Sequence, residues 1–279
     1  MLGDLVKVVG ADRVTVTMLV GYDEDAHAFE PKPSDAKKIV ASQLMVINGL
    51  HFEPWAVKLA KSASYKGDIL IASKGIKPLA KQKKSGHQDE DHEEAGHHHE
   101  HGDQDPHAWQ NPNNVKTYVR NIAQALSKID PASAEFYKAN AQTYIKELQS
   151  LDSAITAQLA SIPVAKRKVI TSHNAFSYFG TQYQVTFMAA EGVNSKAEPS
   201  AKAIAQLIQQ IKREKIKAIF LENMKNPKLI EQVSKEAGVT VGAVLYSDAL
   251  SSKAESGASY LKMMRYNLQL LVEGMKHNS

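Results

Sequence analysis

Two α/β lobes, each a parallel β-sheet flanked by helices, joined by one long rigid linker helix, are the fold this 279-residue chain predicts. Two observations carry that expectation. Short β-branched or apolar runs alternate with stretches of helical period, the pattern of crossover helices between parallel strands. Residues 131–161 hold a single helical pattern without glycine or internal proline, opened by Asp130-Pro131 as cap and first-turn proline. At 1.5 Å per residue it would span roughly 45 Å, longer than a crossover in a small domain requires.

In order, residues 2–10 read as the body of a helix ending at a glycine. Strands are expected at 13–20 (RVTVTMLV), 44–48, 68–72, 168–171, 185–190, 218–221 and 239–245. Helices are expected at 33–42, 54–62, 200–215 and 228–238, with another opening near Asn113. The N-terminal lobe would be 1–129, the linker helix 130–163 and the C-terminal lobe 164–279.

Composition narrows the function classes. Hydrophobic residues at 43% and charged residues at 23% are those of a globular chain. No apolar run approaches the roughly 18–20 residues of a membrane span. The net charge of +4 is small, Lys81, Lys83 and Lys84 form the densest basic group, and no aromatics interleave with basic residues, so no nucleic acid is expected as a partner. The chain has no cysteine, which excludes disulfides, thiolate ligands and cysteine nucleophiles and leaves the compartment open.

Residues 81–106 break the rhythm. The stretch 85–106 carries His87, His92, His97, His98, His99 and His101, six of the chain's 11 histidines, among acidic residues and without lysine or arginine. It has too few apolar groups to pack and is expected to be a disordered insert. Neutral imidazoles suit zinc, copper and nickel, so these six histidines are candidate auxiliary, weak metal ligands.

Four other residues sit where a strand or extended segment meets a loop: His27, His107, His173 and Asp248. In open α/β sheets ligands bind at the carboxyl ends of strands, which sends at least three of these positions to the same kind of place. Each alone would read as a solvent-facing polar group.

The strings around them carry a resemblance. DAHAFEPKPSD (25–35), DPHAWQNP (105–112), TSHNAFSYF (171–179) and YSDALSS (246–252) resemble, in order, four motifs of the ZnuA-like zinc and manganese ABC-transporter solute-binding proteins. NGLHFEPW, AEPSAKAI and FLENMKNPKLIEQVSKEAGV extend the likeness nearly end to end. The resemblance implies that His27 and His107 from one lobe, with His173 and Asp248 from the other, hold a metal ion in the cleft. The family's third position is commonly glutamate in manganese-type members and histidine in zinc-type members; His173 and the histidine-rich insert therefore point to Zn2+ over Mn2+, in keeping with the affinity of imidazole for zinc. Around the ligands, Asp105 is expected to accept a hydrogen bond from an imidazole and orient it. Phe29, Phe176 and Trp109 are expected to wall the cleft, with core packing an equal alternative for Trp109. Glu198 and Glu222 either reach the cleft or cap helices, with caps the preferred reading, and His51, where many relatives have glycine, is read as a surface or packing residue ahead of an auxiliary ligand.

The resemblance further implies a periplasmic or otherwise extracytoplasmic monomer that delivers zinc to the membrane permease of an ABC importer. The family's export signal and first strand have no counterpart ahead of Leu2, so the sequence is expected to start inside a longer protein. Other readings are a manganese importer component, a surface adhesin or metal buffer, and a zinc hydrolase. Against the hydrolase, four protein ligands would close the site to water, and no HExxH, GxSxG or phosphate-binding glycine motif is present, so no enzyme is expected.

Overall fold

The computed structural model describes residues 1–80, 104–192, 199–252 and 254–279. Helix α1 (Leu2–Gly10) leads through a 3-10 turn to an extended stretch, then α2 (Pro33–Val40), β1 (Leu44–Ile47), α3 (Pro54–Ser62) and β2 (Asp68–Ile71). Strands β1 and β2 pair in parallel, Leu44 opposite Asp68 and Ile47 opposite Ile71. Proline opens both α2 and α3, where its missing N–H costs nothing. The long α4 (Pro112–Ile129) starts at a strong cap: Asn111 accepts the N–H of Asn113 at 2.9 Å, and Pro112 takes the first helical position.

The second lobe comprises β3 (Lys168–Thr171), α6 (Ser177–Tyr183), β4 (Thr186–Ala189), α7 (Ala201–Glu214), β5 (Leu221–Glu222), α8 (Lys228–Ala237), β6 (Val244–Leu245) and α9 (Tyr260–Lys276). Strands β3 and β4 are parallel, as are β5 and β6. Ile170 bridges Ile219 in parallel, with Ile170 N–H donating to Ala218 O at 2.8 Å, so the four strands lie in the order β4, β3, β5, β6. The carboxyl ends of β3 and β6 therefore open on the same side, which places His173 and Asp248 together.

Between the lobes runs α5 (Ala134–Ala160), 27 residues and about 40 Å long. Residues 131–133, expected as its first turn, form a separate 3-10 turn. The helix buries Tyr137, Ala141, Tyr144, Leu148, Leu151, Ile155 and Leu159, a stripe of three- and four-residue steps. That stripe belongs to the largest hydrophobic cluster, which takes Leu5 and Val9 from α1, Tyr118 and Ile122 from α4, Phe179 from α6 and Leu268 and Leu271 from α9. The linker is thus the spine of a core common to both lobes. Smaller clusters fill the outer layers, one around Ile39, Met45 and Ile47, the other around Ile170, Ile208, Ile211 and Val233.

The strand expected at 13–20 is absent among the described residues. Val14 is extended (φ −132°, ψ 141°), yet the segment joins no ladder. It and β1 both line a cavity of about 1100 Å³. Extended propensity becomes a strand only where a neighbour's N–H and C=O groups come within reach, and no described strand pairs with this segment. The strands expected at 218–221 and 239–245 shorten to Leu221–Glu222 and Val244–Leu245. The six histidines of the insert and Glu198 lie outside the described residues. The described residues on either side of 81–103 meet: Ala80 and Gln104 form an antiparallel bridge, and Asp105 and Pro106, expected inside the insert, are buried in the fold.

Candidate metal centre

Each of the four expected residues is brought to one place by a different local device. His107 lies between α4 and the end of the insert. Asp105 Oδ1 accepts the backbone N–H of His107 at 2.9 Å and lies 2.7 Å from its Nδ1. With Nδ1 carrying the proton toward this carboxylate, Nε2 is left to face the cleft. A support that sequence reasoning missed stands behind this arrangement. Asn48, just past β1, donates to Pro106 O at 3.0 Å and accepts from Tyr118 Oη at 2.6 Å. The buried carboxylate of Glu53 accepts the N–H groups of Asn48 and Gly49. Burial pushes Glu53 up to about 7 despite those donors.

His173 follows β3. Its backbone N–H donates to Glu222 Oε1 at 2.9 Å, and its Nδ1 lies 2.6 Å from Glu222 Oε2 in an ion-pair contact. Glu222 was expected as a helix cap; instead it sits in β5, fully covered, beneath the imidazole. The reason is register: Ile170 and Ile219 bridge, and the neighbouring strand then carries Glu222 under His173, two residues past β3. No local pattern in the sequence marks it.

Asp248 follows β6. Its approach is held by two side chains of the other lobe, Trp109 Nε1 and Gln110 Nε2, which donate to Ser247 O at 2.9 and 2.8 Å. Trp109 is buried, with its ring 5.2 Å from that of His107 and 4.8 Å from that of Phe52. It both packs and lines the site. Phe29 and Phe176 do neither at the cleft: Phe29 packs on Trp55 at 4.7 Å, and Phe176 stacks on Phe187 at 5.0 Å in the core. Phe52, not singled out from sequence, takes the wall position, edge-on to His27 at 4.5 Å. His51 is exposed in a turn where Leu50 and His51 both adopt left-handed backbone (φ 54° and 59°), and it is not part of the cluster.

His27 is the fourth and the least covered. Its N–H donates to Asp25 Oδ1 at 2.8 Å, and among the described residues no carboxylate backs its Nδ1.

One ligand atom from each of His27, His107, His173 and Asp248 lies within 4.8 Å of all the others, the one such group among the described residues that unites both lobes. His27 Nε2 is 3.2 Å from His107 Nε2 and 3.6 Å from Asp248 Oδ2. His173 Nε2 is 3.1 Å from Asp248 Oδ2, and His107 Nε2 is 3.5 Å from Asp248 Oδ1. A tetrahedron with bonds of about 2.0–2.1 Å has edges of about 3.3 Å, so these separations suit a central ion. Asp248 Oδ1 is buried with no hydrogen-bond partner, which such an ion would provide.

The electrostatics agree. Burial opposes a charge on His173, but Glu222 and Asp248 outweigh it and raise the imidazole to about 10. Burial also opposes the charge on His107, and Asp248 and Asp105 reverse it, leaving His107 raised. Burial lowers His27 to about 4, more than Asp248 restores. Burial would raise Asp248, yet His173 and His107 hold it well below the usual carboxylate range. The site is an anionic pocket that demands positive charge, from protons or from a cation.

Two lobes meeting over a buried nitrogen and oxygen donor cluster define a class: a solute-binding protein whose solute is a metal ion. The chain belongs to the family described as zinc-uptake complex component A, periplasmic, whose model matches residues 1–274. It is 30% identical over 281 residues to the metal ABC transporter substrate-binding lipoprotein ScbA of Streptococcus cristatus, covering 99% of this chain and 86% of that protein. It is 28% identical, with the same coverage, to the manganese ABC transporter substrate-binding lipoprotein PsaA of Streptococcus pneumoniae. In fold it matches the periplasmic zinc binding protein TroA of Treponema pallidum, with a TM-score of 0.88, 24% identity, and 99% and 96% of the two chains covered. The protein is accordingly the substrate-binding component of a metal ABC transporter.

Proposed function

We propose that this protein captures zinc through His27, His107, His173 and Asp248 and passes it, as an extracytoplasmic monomer, to the membrane permease of its importer. The lobes in this reading are 1–129 and 164–279, with 130–163 between them. The observation that carries zinc is the donor set: three imidazole nitrogens and one carboxylate, at separations that suit a four-coordinate ion. Manganese favours more oxygen. The extracytoplasmic position is supported by the lipoprotein and periplasmic descriptions of the relatives. Four protein ligands leave no open position for an activated water, which argues against a hydrolase.

Manganese is the second reading, because a relative of equal coverage is named for it. The test is competition titration of the wild type and His173→Glu with both metals. Zinc should bind the wild type more tightly, and the substitution should cost zinc more than manganese, because it exchanges a borderline nitrogen for a hard oxygen. Equal weakening of both metals would remove ligand type as the selector.

A further inference from the structure

The loop that carries His27 differs from the supports of the other three residues. His107 and His173 each stand on a buried carboxylate, and Asp248 is tied down through Ser247. The His27 loop instead leans on the opposite lobe. Asp23 N–H donates to Leu250 O at 3.1 Å, and Asp23 Oδ1 accepts from Asn223 Nδ2 at 2.6 Å. Asp25 Oδ2 lies 2.7 Å from Lys225 Nζ, with the two side chains 18% and 6% exposed. The other oxygen of Asp25 accepts the N–H of His27. One carboxylate thus joins an ammonium of the C-terminal lobe to the backbone of a residue in the cluster.

Asn223 and Lys225 directly follow β5, the strand that supplies Glu222 beneath His173. Asp23 holds a left-handed backbone (φ 55°), a conformation that aspartate tolerates at modest cost. The Lys225–Asp25 pair is largely out of solvent, where breaking one partner is felt far more than at an exposed pair. Since no carboxylate among the described residues stands behind the His27 ring, its aim depends on where this loop sits.

On the reading that His27 holds the cargo, we infer that Lys225 and Asn223 are positioning residues for capture: they latch the His27 loop to the far lobe and so set how fast the bound ion leaves. Of the four groups, His27 has the least covered side chain, 6% exposed against none for the other three, which makes its side the way out for the ion. Freeing Asp25 and Asp23 lets the loop and its imidazole swing away, while the other three groups stay on their buried supports. The effect falls on dissociation, because association needs only an encounter with a cluster that is already three-quarters fixed.

The test is release of zinc(II) from the full-length protein into excess chromogenic chelator, followed by stopped flow. Lys225→Met keeps the stem and removes the charge; zinc should leave roughly ten-fold faster or more, with association changed by no more than a factor of about two. Lys225→Arg should recover most of the wild-type rate. Asp25→Asn keeps an acceptor for His27 N–H, and the double variant with Lys225→Met should release no faster than the single one, as expected of a coupled pair. Should Lys225→Met not fold, Asp25→Asn and Asn223→Ala carry the same test. Metal-free melting temperatures are measured alongside, and release rates that merely track them would make the role structural and overturn the inference. Wild-type release in every latch variant, with fast release from His27→Ala, would overturn it too and leave the site reading intact. Wild-type release from His27→Ala would overturn the site reading itself.

Discussion

At the scale of single residues, the centre is asymmetric, and its protons follow from that. In the metal-free protein His173 is held at about 10, against an ordinary value of about 6.5 in an unfolded chain. Its pairing with Glu222 and Asp248 therefore stabilises the fold fully below about pH 6.5 and ceases to do so as pH rises through 10. Asp248 has the opposite sign: depressed in the fold, it contributes above about pH 3.9 and loses that contribution on acidification. A metal ion must displace the His173 proton, so zinc affinity should rise with pH across the neutral range. Binding near pH 7 should release roughly one to two protons per ion, read as a dependence of calorimetric heat on the buffer's ionisation enthalpy. Identical heats in all buffers would contradict the protonated His173. Glu222→Gln retains an acceptor for His173 N–H but removes the charge that steadies the ring. Zinc affinity should fall about 10–100-fold, measured by competition with a chelator of known strength; an unchanged affinity would reduce Glu222 to packing.

At the scale of elements, helix ends can be tested without touching the centre. Gly238 ends α8 in left-handed backbone (φ 71°), and a Cβ there would meet no other atom within 4 Å. Gly238→Ala should therefore cost about 1 kcal/mol through backbone conformation alone. Lys215 ends α7 in the same conformation (φ 49°, ψ 43°) without being glycine. Lys215→Gly should then stabilise by about 0.5–1 kcal/mol. Both are read from urea denaturation, with zinc affinity unchanged as the control; a destabilised Lys215→Gly would mean that its side chain contributes more than its backbone costs.

At the scale of the whole molecule, one hydrophobic core passes from α1 and α4 through α5 to α6 and α9. Lobes joined by such a core and by bonds such as Tyr260 Oη to Trp109 O at 2.8 Å resist wide hinging, which suits capture by small loop movements like that of the His27 segment. The insert is attached where Ala80 bridges Gln104. Replacing 81–103 with a short glycine-containing turn should therefore preserve the fold and the proposed zinc site, since a hairpin closes two adjacent strands at little cost. The intact protein should bind at least one further zinc weakly, and the replacement should bind only the tight one, because fixing a histidine-rich segment around an ion costs conformational entropy. Equal stoichiometry at neutral pH would leave the insert without a metal-gathering role.

Alternation of short apolar runs with helical periods, and an uninterrupted stretch at 131–161, were enough to determine an α/β protein with one long helix, because those periodicities are local properties. The strings around His27, His107, His173 and Asp248 identified the four groups that the fold assembles, since each lies in a motif of consecutive residues, and Asp105 came with them through its place two residues before His107. What the tertiary structure alone decided lies between segments distant in the chain. Glu222 moved from helix cap to the carboxylate beneath His173 because strand register, not sequence spacing, set its neighbour. Phe52 displaced Phe29 and Phe176 as the wall, and the 13–20 segment joined no ladder among the described strands, lying instead along a cavity. The contact of Asp25 with Lys225 joins residues 200 positions apart. Such pairings depend on which surfaces meet after the lobes pack, and a linear pattern of residue types carries no record of that meeting.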